Sequence, residues 1–476
     1  MASKSVLVIG GGLAGLSSAV VLAVAGFRVS LVDKRPHLGG RATSYLLPNG
    51  EHVDNCQHVT LRCCTNLEDF YRRVGATDKI RYYDRVVFVD RLCRQGVLKR
   101  SPLPAPFHLS PSFLRFPFLT WQDKRGIGRA MLRIARAGGR ASNGTGSTML
   151  DWLRAHGQTE AAIERVWRVV LVSALDEELD RAEDRYGLDV FWKAFLKNRI
   201  GYEIGIPTVP LANLYDGCRE AIERRGGEVR TRAALRSLRI ENGRVAAAVL
   251  DDGSELTADY FLASVPHDAL LSLLPANLVR ENPVFAGLAN LKSSPITGVH
   301  LWLDRTVTGE PFLALLDRTT QWVFNKTKLY EGDPGKKSEK DAGQYLQLVI
   351  SASYDLVERS RQEIIDLCWR ELGEAIPAAR EAKLLKATVV KEIGATFSPA
   401  PGCDRWRPDP AAASAAVSNL FLAGDWTNTG WPATMEGAVR SGYRVAEALL
   451  AADGRPQSFL LGDLPAQGFA RRWEAQ

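Results

Sequence analysis

The glycine cluster near the start of the chain constrains the fold most. Gly10-Gly11-Gly12-Leu13-Ala14-Gly15 has GxGxxG spacing. A short β-rich run, Val6 to Ile9, leads into it, and an alanine-rich stretch ending at Gly26 leads out. A second β-run, Arg28 to Val32, then closes on Asp33. Strand, tight turn, helix, strand and terminal acid form the grammar of a dinucleotide-binding unit. Gly10 allows the tight turn, Gly12 lets backbone approach a pyrophosphate, and Gly15 lets helix pack closely on strand. The helix start, with Leu13 and Ala14, offers free N–H groups and a positive dipole end to phosphate oxygens. Asp33, with Lys34 beside it, stands where ribose hydroxyls need an acceptor, and an acid there disfavours a 2′-phosphate.

Residues 5–27 are apolar enough to mimic a signal anchor. A signal peptide has no need of the strand–turn–helix–strand order, so a buried βαβ unit is the expected reading. The chain has 476 residues, with 46% hydrophobic and 24% charged. That is the balance of a folded chain of two or three domains. A net charge of +7 suits an anionic membrane surface or ligand. No RNP-like segment, zinc-finger spacing or long basic run points to nucleic acid. The seven cysteines are odd in number and contain no CxxC. They make neither a disulfide scaffold nor a metal site, and a reducing cytoplasm is the simplest setting.

The expected fold class is α/β: a Rossmann-type domain, a mixed α+β substrate domain and a helical, membrane-contacting region. The first domain is expected in three pieces, 1–75, 206–275 and 401–476, with the helical region at 76–205 and the substrate domain at 276–400. A flexible linker is expected at 137–147 and a solvated loop at 331–343. Turn signals at Asn242-Gly243 and Asp252-Gly253 mark a β-meander returning to the dinucleotide sheet.

Rossmann loops alone do not separate FAD from NAD. Just after Asp33, Arg35-Pro36-His37-Leu38-Gly39-Gly40-Arg41-Ala42 adds a second glycine pair and an arginine. Near the other end, Leu422-Ala423-Gly424-Asp425 follows a strand-like run, and Ala433-Thr434-Met435-Glu436-Gly437 opens a last helix. Together these resemble the extended fingerprint of glutathione-reductase-like flavoproteins, in particular the amine oxidase and carotenoid desaturase branch. The resemblance implies FAD. It implies that Gly39 and Gly40 pass the pyrophosphate, that Arg41 lies near the flavin, and that Gly424-Asp425 meet the pyrophosphate and ribityl chain. It also implies that Thr434 and Met435 start a helix aimed at the flavin pyrimidine edge, with the Met435 N–H donating, and that Leu235 main chain lies near the adenine.

Asp54-Asn55-Cys56-Gln57-His58 is the most informative remaining segment. It concentrates acid–base and hydrogen-bonding groups beside the flavin-side loop. The stretch 50–75 that contains it, with 209–230 and 420–442, resembles the hydroxysqualene dehydroxylases, the squalene-associated FAD-dependent desaturases of bacterial hopanoid pathways. Cys56 stands where that family usually has glycine. The resemblance implies reductive loss of an allylic hydroxyl from a C30 isoprenoid, with hydride from reduced flavin. A leaving hydroxide needs a proton. Asp54 or His58 is the expected acid, and Gln57 the expected partner of the hydroxyl. Cys56, Thr427, Thr429 and Trp431 are expected to line the substrate cleft.

A bilayer-dwelling substrate also implies a peripheral position on the inner face of the cytoplasmic membrane. Phe107, Phe113, Leu114, Phe116 and Phe118 would dip in, and Lys124, Arg125, Arg129, Arg133 and Arg136 would meet head groups. The rival readings are a carotenoid-type desaturase, an amine oxidase (for which no convincing lysine is found) and a non-enzymatic dinucleotide-binding protein. The polar segment 54–58 is the expected discriminator, since a hydrocarbon has no hydroxyl for it to bind.

Overall fold

The run Ser5–Ile9 forms strand β1, buried on both faces, and continuous Val/Leu/Ile is what such a central position requires. The computed structural model describes residues 4–48, 50–140, 146–330 and 343–474. Helix α1 (Leu13–Val24) follows the glycine loop, and β2 (Arg28–Asp33) pairs parallel to β1. Three further strands complete the sheet: β3 (Glu228–Thr231), β4 (Tyr260–Ala263) and β5 (Leu420–Leu422). Its order is β3-β2-β1-β4-β5, and every pairing is parallel. The sheet therefore draws on stretches that lie more than half the chain apart.

The final helix, α2 (Met435–Ala452), packs along α1. Its Gly442 is obligatory: a Cβ there would lie 2.0 Å from Ser17 Oγ and 2.5 Å from the Ala14 carbonyl oxygen. Gly15 is equally constrained, because its Cβ would lie 2.0 Å from the Gly10 carbonyl oxygen. Its place is in the close packing of α1 on β1, away from the cofactor surface.

The meander is a separate three-stranded antiparallel sheet, Leu235–Glu241, Arg244–Leu250 and Glu255–Leu256. Asn242 and Gly243 both adopt positive φ, 51° and 69°, as a two-residue hairpin turn of matching twist requires. The chain leaves the parallel sheet at β3 and returns to it at β4, as expected, but the three meander strands between them form a sheet of their own.

A seven-stranded mixed sheet forms the second layer. Its order is Leu384–Phe397, Ser293–Leu303, Gln344–Ile350, Trp322–Asn325, Phe312–Leu315, Arg85–Val89 and Gln95–Lys99. The region expected to be helical, 76–205, thus gives two strands to this sheet. The rest of it is mainly helical, apart from strand Ile80–Tyr83 and the start of Ile204–Pro207, which belong to a separate three-stranded sheet. The expected linker falls partly on 141–145 and the expected loop almost wholly on 331–342, outside the described residues. All seven cysteines are free.

The Pro/Phe-rich stretch divides into buried and exposed residues. Phe116 and Phe118 are core, packed at a tilt on each other and over Gly96, with Phe116 against Phe88, and Phe113 is half-buried against Phe116. They form no membrane wedge, because the sheet's last strand needs an apolar cover. The exposed apolar residues are Leu103, Phe107, Leu114, Trp121 and, packed on Phe107, Phe469. Helix Trp121–Arg136 follows, held at its start by a reciprocal Thr120/Asp123 cap. It buries Ile127, Ala130 and Ile134 on one face and exposes Arg125, Arg129, Arg133 and Arg136 on the other. Among the described residues no helix is long and apolar enough to cross a membrane.

Candidate active site

One cavity of about 630 Å³ runs between the two sheets. Its first part is walled by backbone from three distant segments. Gly10, Gly12, Leu13 and Ala14 come from the first loop, Gly39, Gly40 and Arg41 from the second, and Gly424, Asp425, Thr434 and Met435 from the C-terminal stretch. Asp33, Lys34 and Leu235 line the same part. The Asp33 carboxylate already accepts from Gly11 N–H at 2.6 Å and Arg35 N–H at 2.7 Å, which fixes both the loop and the acid. Arg41 ties the second loop to the third: it donates to Asp425 at 2.6 Å and to the Ala395 carbonyl at 2.7 Å.

Two residues without a sequence signal hold the C-terminal part in place. Buried Arg407 donates to three carbonyls of one loop, those of Asp425, Thr427 and Trp431, at 2.6–3.2 Å. Glu436, at the start of α2, accepts from Asn66 and Leu67 N–H and from Arg440, pinning α2 to helix Thr65–Arg73. Thr434 Oγ1 caps α2 by accepting from Gly437 N–H at 3.0 Å. A glycine-rich turn opening a helix, a second glycine pair and a capped helix start around one elongated cavity fit a long, anionic dinucleotide.

The far part of the cavity is mostly apolar. Its walls include Val59, Leu61, Phe88, Val170, Ile204 and Phe324. Cys56, Gln57, His58 and Trp431 line the cavity, whereas Asp54, Thr427 and Thr429 do not. Asp54 is turned into the wall. Its Oδ1 accepts from Ser44 Oγ at 2.7 Å and Leu211 N–H at 3.1 Å, and its Oδ2 from Lys326 Nζ at 2.7 Å and Tyr330 OH at 2.9 Å. Burial pushes this carboxyl up, but Lys326 and the other donors outweigh burial and hold it below the ordinary carboxylate range. Asp54 is therefore a fixed anion and not the proton donor expected from the sequence.

Gln57 is also committed. Its Oε1 accepts from Lys326 at 2.8 Å and its Nε2 donates to the His58 carbonyl at 3.1 Å, so it does not present its amide to a hydroxyl. His58 Nδ1 lies 3.0 Å from the Cys56 carbonyl, which makes Nδ1 the protonated nitrogen and Nε2 the acceptor. Burial lowers its pKa, so the ring is neutral near pH 7 and is poorly suited to act as an acid. Burial pushes the Cys56 thiol far up, excluding a thiolate. Thr427 donates to the Gly424 carbonyl and Thr429 accepts from Trp431 N–H. Both shape the loop from inside, which corrects their assignment to the cleft. The Trp431 ring already carries two cations, Lys193 at 4.6 Å and Arg440 at 4.7 Å.

Lys193, Lys326 and Asp176 are further charged groups without a sequence signal. Lys193 lines the cavity and pairs with Asp189 at 2.7 Å. Lys326 follows strand Trp322–Asn325 and is wholly buried; burial lowers its pKa and Asp54 only partly offsets this.

Residues 13–450 match the family of flavin containing amine oxidoreductases. The chain belongs to that family. FAD is its cofactor, and the cavity's glycine-lined part is the place built for it. This flavoenzyme is 27% identical over 463 residues to 15-cis-phytoene desaturase of Capsicum annuum, covering 94% of this chain and 77% of that one. It is also 27% identical over 489 residues to a probable zeta-carotene desaturase of Synechococcus elongatus, covering 94% and 98%. In fold it resembles putrescine oxidase bound to putrescine, with TM-score 0.70, 14% identity and coverage of 94% and 99%. An oxidoreductase from Methanosarcina mazei has the same TM-score at 20% identity, covering 92% and 98%.

Proposed function

We propose that this flavoenzyme desaturates a long isoprenoid hydrocarbon. The observation that carries the reading is the cavity itself: cofactor loops wall one part and apolar side chains the other. The kinship with phytoene and zeta-carotene desaturases along 94% of the chain points the same way. Bound FAD supplies a two-electron acceptor of hydride. The chain's contribution is to exclude water from the apolar part and hold a polyene there. The expected discriminator, segment 54–58, no longer favours an alcohol, because Asp54 and Gln57 are occupied by Lys326. The test is to mix oxidised enzyme with a phytoene-type polyene without oxygen. Loss of oxidised-flavin absorbance with a new double bond in the product supports the reading, and an unchanged spectrum sinks it.

A second reading is reductive dehydroxylation of hydroxysqualene, favoured by one observation. Burial pushes the Asp176 carboxyl, in the cavity wall, well above the carboxylate range, which favours the protonated form that a leaving hydroxide needs. Chemically reduced enzyme mixed with hydroxysqualene would then return to the oxidised spectrum as squalene forms.

Such a substrate is drawn from a bilayer, and the exposed Leu103, Phe107, Leu114 and Trp121 beside the arginine face of helix Trp121–Arg136 are the membrane-facing surface. A peripheral position on the anionic inner face of the cytoplasmic membrane is part of this proposal, supported by that surface. Changing Phe107 and Trp121 to Ser is expected to release the protein from anionic vesicles with FAD still bound; undiminished pelleting removes the idea.

A further inference from the structure

The Asp54 side of the wall holds its carboxylate among matched donors, but one other buried carboxylate in the cavity wall lacks such matching. Asp176 ends helix Val169–Leu175 in the left-handed conformation, φ 52°, and is almost wholly buried. Its Oδ1 accepts from Ala352 N–H at 2.8 Å, and Ala352 is itself left-handed, φ 49°. Its Oδ2 accepts from Thr396 Oγ1 at 2.9 Å. Both donors are neutral, and among the described residues no cation pairs with it. Two non-glycine residues in that conformation, joined by a hydrogen bond, store backbone strain at one point of the wall. Ser173, Ala174, Ser351 and Thr396 line the cavity around it.

Through Thr396 it is connected to the cofactor part of the cavity. Thr396 directly follows Ala395, whose carbonyl holds Arg41, the arginine of the second glycine loop. The ionisable groups near Asp176 leave it unneutralised. Glu177 is occupied by Arg181 at 3.4 Å and the Tyr354 hydroxyl at 2.8 Å. The Cys56 thiol stays protonated. Arg41 is committed to Asp425.

We propose that Asp176 is the proton-exchanging residue of this cavity, taking the proton that a polyene loses as its new double bond forms. The inference rests on the desaturase reading. Bound FAD would supply the hydride acceptor for one carbon, and the C–H bond of the neighbouring carbon would break with it. Its electron pair becomes the new C=C bond, and its proton passes to the Asp176 carboxylate. The substrate loses two electrons, both carried by the hydride to oxidised FAD, and the proton on Asp176 goes on to water. Until the proton leaves, the carboxylate faces the positive charge developing on the allylic carbons in a water-poor chamber, where a fixed anion is most effective. A neighbouring cation such as Lys326 would cancel that effect, and Asp176 has none.

The test is Asp176→Asn. Asn fits the left-handed conformation and can keep both hydrogen bonds. In anaerobic single turnovers with the polyene, flavin reduction by the wild type is expected to quicken as pH rises and Asp176 ionises. The variant is expected to be slower by about a hundredfold or more and flat with pH, at equal FAD content. An equal rate and pH profile in the variant overturns the inference and leaves the desaturase reading standing. If neither protein takes electrons from the polyene, that reading fails and a second measurement decides for Asp176. A linear isoprenoid carrying a trimethylammonium group mimics the cation, and its binding is read by tryptophan fluorescence. Affinity that tightens with pH in the wild type and not in the variant supports an unmatched anion facing the chamber. Equal affinities in both proteins overturn it.

Discussion

Two buried carboxylates in the same wall have been handled in opposite ways. Asp54 has an ammonium, two hydroxyls and a backbone N–H around it. Asp176 has one backbone N–H and one hydroxyl. Burial opposes the ionised form of both. At Asp54 the donors outweigh burial and the carboxyl is held below its ordinary range; at Asp176 they do not and it is held well above. The lesson is that burial alone assigns no role. A matched carboxylate is a structural anion, and an unmatched one facing a cavity is free to exchange a proton.

The largest expected effect tests the matched side. Lys326→Met leaves Asp54 as an uncompensated buried charge, and should lower the unfolding free energy by about 3–5 kcal/mol, read from urea denaturation. Adding Asp54→Asn should restore most of that loss. If the double variant is as unstable as the single, charge matching is not what Lys326 provides.

A smaller effect tests the unmatched side, and it has the opposite sign. A carboxyl whose folded pKa is raised penalises the fold as pH rises from the ordinary carboxylate range towards the folded value. Asp176→Asn removes the penalty, so the variant should gain on the wild type with rising pH, by about 1–3 kcal/mol at most. Asp54, with a lowered pKa, contributes stability at neutral pH that is lost as pH falls through its folded value. A flat Asp176→Asn difference across pH would erase the contrast between the two sites.

The smallest effect compares single donors. Tyr330→Phe removes one of four donors to Asp54 and should cost about 1–2 kcal/mol in denaturant midpoint terms. Thr396→Val removes one of two donors to Asp176. It should cost less in acid, where the carboxyl is neutral, and more as pH rises. Equal, pH-independent costs would mean that both carboxyls carry the same charge.

The cofactor part of the cavity was legible because it is made of backbone. Gly10, Gly12, Gly39, Gly40 and Gly424 mark places where the chain must turn or be approached closely, and each motif is continuous in sequence. Asp33, Arg41, Thr434 and Met435 lie inside those motifs and line the cavity. The substrate part was not legible. Asp54, Gln57 and His58 form one polar run, but a run of polar residues does not reveal which side chains face a cavity and which face a partner behind it. Phe113, Phe116 and Phe118 raised the same ambiguity, and two of them proved to be core.

By itself, the sequence determined the dinucleotide unit, the flavin family and the three-part layout of glycine loops, because local spacing sets backbone conformation and backbone binds phosphate. Only the tertiary structure decided which acid is matched. Lys326 reaches Asp54 across 272 residues, and Asp176 meets Ala352 across 176. The charge state of a buried group depends on partners that no local spacing encodes, and these become visible only when the two sheets close on one cavity.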